Sequence, residues 1–237
     1  YFDQERYADP GKSIRGGIPV LFPICGNLPG DLLEVSGVAH TLKQHGFARN
    51  LPWQLQLLED QSGVRLTLSD TADTLAAYPF SFLVEMEIRP VAQALEIHTT
   101  IQNRSESVMP FSFGLHPYFN ISDLAQTDLA GLNERCLNHL EMAETDTASQ
   151  LGRLPDGVDF LCRPSGPVTL IDRTNGQQLQ LQHQEPMDLT VIWTEPPRAM
   201  VCVEPWTGPR QSLISGDRKL EIQPGASCAL SCRYAVS

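Results

Sequence analysis

The segment "FLVEMEI" alternates Phe82, Val84, Met86 and Ile88 against Glu85 and Glu87. A period of two puts the apolar set on one side of an extended chain and the carboxylates on the other, which is the pattern of a strand with one buried face. The same period recurs along the chain. "WQLQLL" sets Trp53, Leu55 and Leu57 on one predicted face, "VRLTL" sets Val64, Leu66 and Leu68, and "LEIHTTI" sets Leu95, Ile97, Thr99 and Ile101. Further runs are "PVTLI", "QLQLQ", "LTVIW", "MVCVE", "KLEI" and "ALSCRY". Turn chemistry separates many of them: "DQSG" at 60–63, "NRSE" at 103–106, and Asn175-Gly176, a strong hairpin signal. Helical signal is thin. "DTADTLAAY" suits two turns capped by Asp70 or Thr71, and "LNERCLNHLEMAE" has only weak helical periodicity. The stretch from about Ala125 to Asp159 is polar and poorly periodic, and is expected to carry long excursions between strands. With no internal repeat or linker, residues 1–237 read as a single all-β domain, a large sandwich of antiparallel strands with few short helices.

Composition narrows the partners. The chain has 28 acidic and 17 basic residues, a net charge of -11. That field repels nucleic acid and anionic membrane surfaces, so neither is an expected partner. An anionic small substrate would need a local cluster of arginines. No apolar run approaches the roughly 18 residues of a membrane helix. Cys25, Cys136, Cys162, Cys202, Cys228 and Cys232 show no zinc-knuckle or redox spacing. They read as reduced thiols of a cytoplasmic protein, with a disulfide-bonded secreted protein as the alternative that an even count allows.

Four stretches could carry chemistry. In "KSIRGGIPVLFPICG" Arg15 precedes two glycines and two prolines, a rigid loop that could anchor an anion or hydroxyl or could equally be a solvated turn. In "KQHGFARNLPW" Gln44, His45 and Arg49 surround Gly46 and Phe47. All three can hydrogen-bond a polyhydroxyl ligand, and Phe47 could line a pocket; a surface loop is the plain alternative. In "FSFGLHPYFNIS" His116 is either a satisfied core imidazole or a proton carrier, beside Tyr118 and Phe119 as core or floor. In "MVCVEPWTGPRQSL" Glu204 shares a face with Met200 and Cys202, so it needs a partner if buried. Burial would raise its pKa toward that of a general base, while Arg210 could instead hold it in an ion pair. His40, His98, His139 and His183 have no neighbours at metal-ligand spacing, and no phosphate-cradling loop or nucleophile elbow is present, so neither a metal nor a nucleotide cofactor is expected.

Taken in order, "IRGGIPVLFP", "QHGFARNLPW", "GLHPYF" and "VCVEPWTGP" resemble the aldose 1-epimerase (galactose mutarotase) superfamily, and most of all its glucose-6-phosphate 1-epimerase, or hexose-6-phosphate mutarotase-like, branch. The resemblance runs over about residues 6 to 232. It implies a β-supersandwich, an isomerase that interconverts sugar anomers without a cofactor, and a sugar or sugar phosphate as partner; oligomeric state is left open. It places the catalytic acid on His116 and the base on Glu204. Sugar-binding roles fall on Arg15, Gln44 and Arg49, with His45 a motif histidine. Asp159 matches the family's hydroxyl-binding aspartate, with Asp156 as a competitor. Members of this family carry some tens of residues of strand before the arginine-glycine-glycine motif, so N-terminal strands are expected to be missing here. The alternative reading is a carbohydrate-binding protein that keeps the pocket without turnover.

Overall fold

The computed structural model describes residues 1–9 and 11–237. Its strands form two large antiparallel sheets of eight strands each. One has the spatial order Thr127–Ala130, Val168–Asp172, Gln178–His183, Ser227–Val236, Ala94–Asn103, Phe82–Val91, Val64–Ser69, Gln54–Leu57. Its spine is the long hairpin that pairs Phe82 with Asn103 at one end and Val91 with Ala94 at the other. The predicted alternation holds there: Phe82, Val84 and Met86 are buried, as are Ile97, Thr99 and Ile101 on the neighbouring strand.

The other sheet runs Val20–Leu21, Gly114–Leu115, Met200–Trp206, Leu189–Trp193, Asp159–Cys162, Arg135–Asn138, Ala143–Asp146, with Tyr118–Asn120 also paired to Met200–Trp206. One hydrophobic core joins the sheets. It contains Val84, Met86, Ile97, Leu181 and Leu230 from the first and Leu115, Phe160, Ile192, Val201 and Val203 from the second. The Tyr234 hydroxyl crosses between them to donate to the Val203 carbonyl at 3.1 Å. Burying each such aliphatic or aromatic side chain stabilises the fold by roughly 1.5–3 kcal/mol, which makes this face-to-face contact the main driving force for assembly.

Several expectations change. The 53–57 run forms the strand Gln54–Leu57, but Leu55 and Leu57 are 63% and 71% exposed. This strand is the edge of its sheet, and all four of its residues are exposed. The 125–159 stretch contains three strands, Thr127–Ala130, Arg135–Asn138 and Ala143–Asp146, and a short helix Thr147–Leu151. Each strand has only four residues, too few to show a period, and is held by its neighbours' ladders. Phe47 stacks on Phe82 in the core and does not line a pocket. The Asn175-Gly176 hairpin exists, but it closes on Asp172 and Gln177 with Gly176 at φ 76°, a wider loop than a two-residue turn. The helix Ala72–Ala77 is capped by Thr71, whose side chain and Thr74 form a capping box. All six cysteines are free.

Candidate active site

The outward face of the second sheet carries the site, and strand register explains why. Trp206 pairs with Gly114, and Tyr118 pairs with Cys202. Between these two ladders His116 interrupts the strand, because Pro117 has no N–H to donate. Continuing the register across the gap puts His116 directly opposite Glu204. Their side chains meet at 3.3 Å, Nε2 to Oε1. On its other side the His116 segment is pinned by backbone bonds from His116 N to Pro19 O and from Tyr118 N to Gly17 O. Two residues 88 positions apart are therefore a cross-strand pair on a rigid sheet. Gly114 makes room for the neighbouring indole: a Cβ there would lie 2.7 Å from Trp206 Cδ1.

The rows of this face extend sideways. Trp193 pairs with both Cys202 and Asp159, and His139 lies beside Asp159 through a backbone bond of 2.8 Å. The His139 ring binds Asp159 Oδ1 at 2.7 Å, and Arg210 donates to Asp159 Oδ2 at 2.7 Å. Arg210 thus pairs with Asp159, not with Glu204. Asp156 is exposed at the end of a short helix and is not among the residues that line the cavity.

Loops wall the face into a cavity of about 230 Å³, lined by His116, Glu204, Asp159, Arg15, Gln44, His45 and Arg49. Tyr118, Trp193, Trp206 and Arg210 complete much of the lining. All seven residues singled out in the sequence meet here. The volume is below the roughly 300–1,000 Å³ of drug-sized sites, so the cavity suits a small polar ligand. The 43–49 loop is fastened by Phe47 N to Phe22 O and by a bridge between Phe22 and Gly46. Gly46 has φ 67°, and a Cβ there would strike the Phe22 carbonyl oxygen at 2.1 Å, so only glycine fits. His45 precedes it, also left-handed at φ 65°, with its Nδ1 accepting from Gly26 N at 3.1 Å. That bond makes His45 Nδ1 the unprotonated nitrogen and leaves Nε2 as its donor.

Arg15 is neither a solvated turn residue nor a free anion anchor. It forms a two-pronged ion pair with Glu195, at 2.8 and 3.0 Å, and lies 5.3 Å over the Trp193 ring. Arg198 holds the same glutamate at 2.8 Å and also reaches Asp3. Arg49 differs: its polar contact within the protein is a bond to the Gln44 carbonyl at 3.0 Å, and no carboxylate pairs with it among the described residues.

Electrostatics set the pair apart. Burial pushes Glu204 well above the ordinary carboxylate range, reinforced by the Asp159 charge; the Trp206 indole, donating at 3.1 Å to Oε2, opposes this. Burial likewise lowers His116 to about 3, helped by the Arg49 and Arg15 cations. Both directions follow from the cost of holding charge in a dry site. His45 is also pushed well below its usual value, by burial first and by its neighbour His116. The Arg15 hydrogen bonds hold Glu195 below the usual range.

Glu195, Trp193 and Trp206 belong to the site architecture without any signal of their own in the sequence, while Arg210 was expected opposite Glu204 and His139 was weighed only as a metal ligand. Arg210 and Trp206 sit in the same "VEPWTGPR" segment as Glu204, so proximity was available as a signal. Glu195 and His139 lie in unpatterned loops, and only tertiary pairing reveals them.

The two-sheet antiparallel sandwich beneath this polar cavity is the fold of galactose mutarotase-like proteins. The aldose 1-epimerase family model matches residues 2–234, and the chain belongs to that family. The chain is 29% identical over 95% of its length to an Escherichia coli K12 protein named "Putative glucose-6-phosphate 1-epimerase", 76% of which is covered. The crystal structure of the Slr1438 protein from Synechocystis sp. PCC 6803 matches with a TM-score of 0.94 and 35% identity, covering the whole chain and 83% of that protein. A galactose mutarotase-like protein from Lactobacillus casei shares the fold, with a TM-score of 0.81 at 23% identity over 93% of this chain and 85% of its own. Among the described residues no helix is long and apolar enough to cross a membrane.

Proposed function

We propose that this protein interconverts the α and β anomers of an aldohexose 6-phosphate, with Glu204 as base and His116 as acid. The observation that carries the reading is the 3.3 Å cross-strand pair at the floor of a polar cavity. Mutarotation needs two proton carriers, one facing the anomeric hydroxyl and one facing the ring oxygen. The Glu204 carboxylate takes the proton from O1. The His116 imidazolium gives its proton to O5, the C1–O5 bond breaks, and an open-chain aldehyde forms. After rotation about C1–C2, O5 attacks the other face of the carbonyl. Imidazole then recovers the O5 proton while the Glu204 carboxyl returns one to O1. Atoms and charge balance, and no electron or hydride leaves the sugar.

The shifted acidities suit this cycle. Neutral acid with neutral imidazole, and carboxylate with imidazolium, contain the same single proton. Burial favours the neutral arrangement, and hydroxyls that bond both groups restore the charged one. The two forms interconvert by moving one proton across the site, so the pair titrates as a unit. Gln44, His45 and Asp159 hold hydroxyls, and Arg15 over Trp193 forms a wall. Positioned proton transfer of this kind contributes ~10²–10⁴-fold.

The phosphate part of the reading is supported by Arg49. Its lack of a carboxylate partner leaves a guanidinium face for an anion. An adjoining cavity of about 540 Å³ shares Gln44, Arg49 and Arg210 and adds Lys43, so that three cations face the single carboxylate of Asp31 in its lining. The name carried by the E. coli relative points the same way. The test is saturation-transfer NMR of anomer exchange in glucose 6-phosphate and in glucose. The reading expects faster exchange than buffer for both, with the phosphorylated sugar preferred. Binding without acceleration would overturn it.

A further inference from the structure

Glu204 and His116 have a third neighbour that mutarotation does not use. Cys202 lies two residues before Glu204 on the same face of the same strand, and pairs with Tyr118, two residues after His116. The donor atoms of His116, Cys202 and Glu204 all lie within 4.8 Å of one another. We propose that these three side chains form a binding site for a soft divalent metal, Zn²⁺ by class, whose occupation competes with sugar.

The donor set carries the argument. Thiolate, imidazole and carboxylate together suit zinc, whereas magnesium and calcium take oxygen ligands. The imidazole and carboxylate are already spaced for it. With Zn–N and Zn–O bonds of about 2.0–2.1 Å, the edge of a tetrahedron is roughly 3.3–3.4 Å, and Nε2 to Oε1 is 3.3 Å. A thiolate about 2.3 Å from the metal has tetrahedral edges of roughly 3.5–3.6 Å to the other two donors, so Cys202 Sγ moves inward by about 1.4 Å at most. The sheet supplies rigidity: Cys202 and Glu204 lie in the ladders of Met200–Trp206, and His116 is held between two of them by its backbone bond to Pro19 O. Access is from the cavity, which His116 and Glu204 line, with Cys202 buried behind them. A fourth ligand, water, would enter from the same side, giving three protein ligands and one open position. Local spacing could not show this set, because His116 joins it only through strand pairing.

Binding replaces protons by metal. The thiol proton and the single proton of the His116–Glu204 pair pass to solvent, and the charge of the ion is met by thiolate and carboxylate. The metal then occupies both groups that the proposed reaction needs.

The test uses Co²⁺ as a spectroscopic probe and Zn²⁺ with a competing chelating dye on the purified metal-free protein. Co²⁺ should bind one equivalent, with four-coordinate visible absorption and a near-ultraviolet thiolate charge-transfer band. Cys202→Ser should remove that band and weaken Zn²⁺ at least ~10-fold, while Cys228→Ser, at a partly exposed cysteine elsewhere, should change neither. Glu204→Gln gives a second variant that weakens binding without touching the thiol. A band that survives in Cys202→Ser, a band lost in Cys228→Ser, or the absence of one-to-one binding would overturn the proposal. These readouts need no turnover, so they can fail while the anomerase reading stands, and the reverse.

Discussion

The two faces of the strand Met200–Trp206 are equally dry and chemically opposite. Val203 and Glu204 are each 1% exposed. Val201 and Val203 face the sandwich core, where the first sheet covers them with hydrocarbon. Cys202, Glu204 and Trp206 face outward, where loops rather than a sheet cover them. On the core face burial is its own reward, because apolar surface leaves water. On the site face burial costs stability: a carboxylate and an imidazole are dehydrated, one indole bond and nearby cations offset this only in part for the carboxylate, and cations add to the cost of charging the imidazole. One strand therefore separates the work of folding from the work of chemistry by the two-residue period alone.

That contrast can be broken by substitution on each face. The largest expected effect is on activity. Glu204→Gln should lower kcat/KM for anomer exchange by ~10²–10⁴-fold, while its urea midpoint at pH 8 is no lower than that of wild type. On the other face, Val203→Ala should leave the exchange rate per folded molecule within about twofold and cost roughly 1–3 kcal/mol in urea unfolding, from lost methyl groups and the cavity they leave. If Val203→Ala abolished catalysis at full stability, the separation would be wrong.

A smaller effect sharpens the ligand side of the comparison. Arg49→Ala should raise KM for a 6-phosphorylated sugar ~10-fold, with kcat little changed, and leave the unphosphorylated sugar nearly unaffected. Equal loss on both sugars would place Arg49 at a hydroxyl instead.

The smallest effect is the pH dependence of stability. Glu204 has a raised folded pKa, so above the ordinary carboxylate range the native state holds a proton that the unfolded chain releases. Its contribution therefore declines as pH rises toward the folded value. His116 has a lowered folded pKa of about 3, so between 6.5 and 3 the unfolded chain binds more protons and stability falls as pH falls. Chemical unfolding at pH 5 and pH 8 should show Glu204→Gln gaining on wild type at the higher pH. His116→Asn should gain on wild type at the lower pH. The opposite slopes would mean that the charged forms are favoured in the native site.

Much of this was legible where a period exists. Residues 82–88 and 95–101 alternate because one face of each strand lies against the core, whereas 200–204 is buried on both faces. Leu55 and Leu57 alternate just as well yet stay wet, because alternation says nothing about whether an edge strand is covered. The four-residue strands Arg135–Asn138 and Ala143–Asp146 were missed, since their conformation comes from their ladders and not from their own residues. Within the site, the ordered motifs named residues that now line one cavity. What they could not give was partnership. Arg210 faces Asp159 rather than Glu204, Arg15 is held by Glu195, and Cys202 stands beside His116 only because Tyr118 pairs across to it.

The most direct test of the central claim is a double-mutant cycle on the anomer exchange rate, with His116→Asn, Glu204→Gln and the two combined. If imidazole and carboxylate work as one proton-carrying unit, the double variant is about as slow as the slower single variant. Losses that simply multiply, or either single variant exchanging at the wild-type rate, would contradict it.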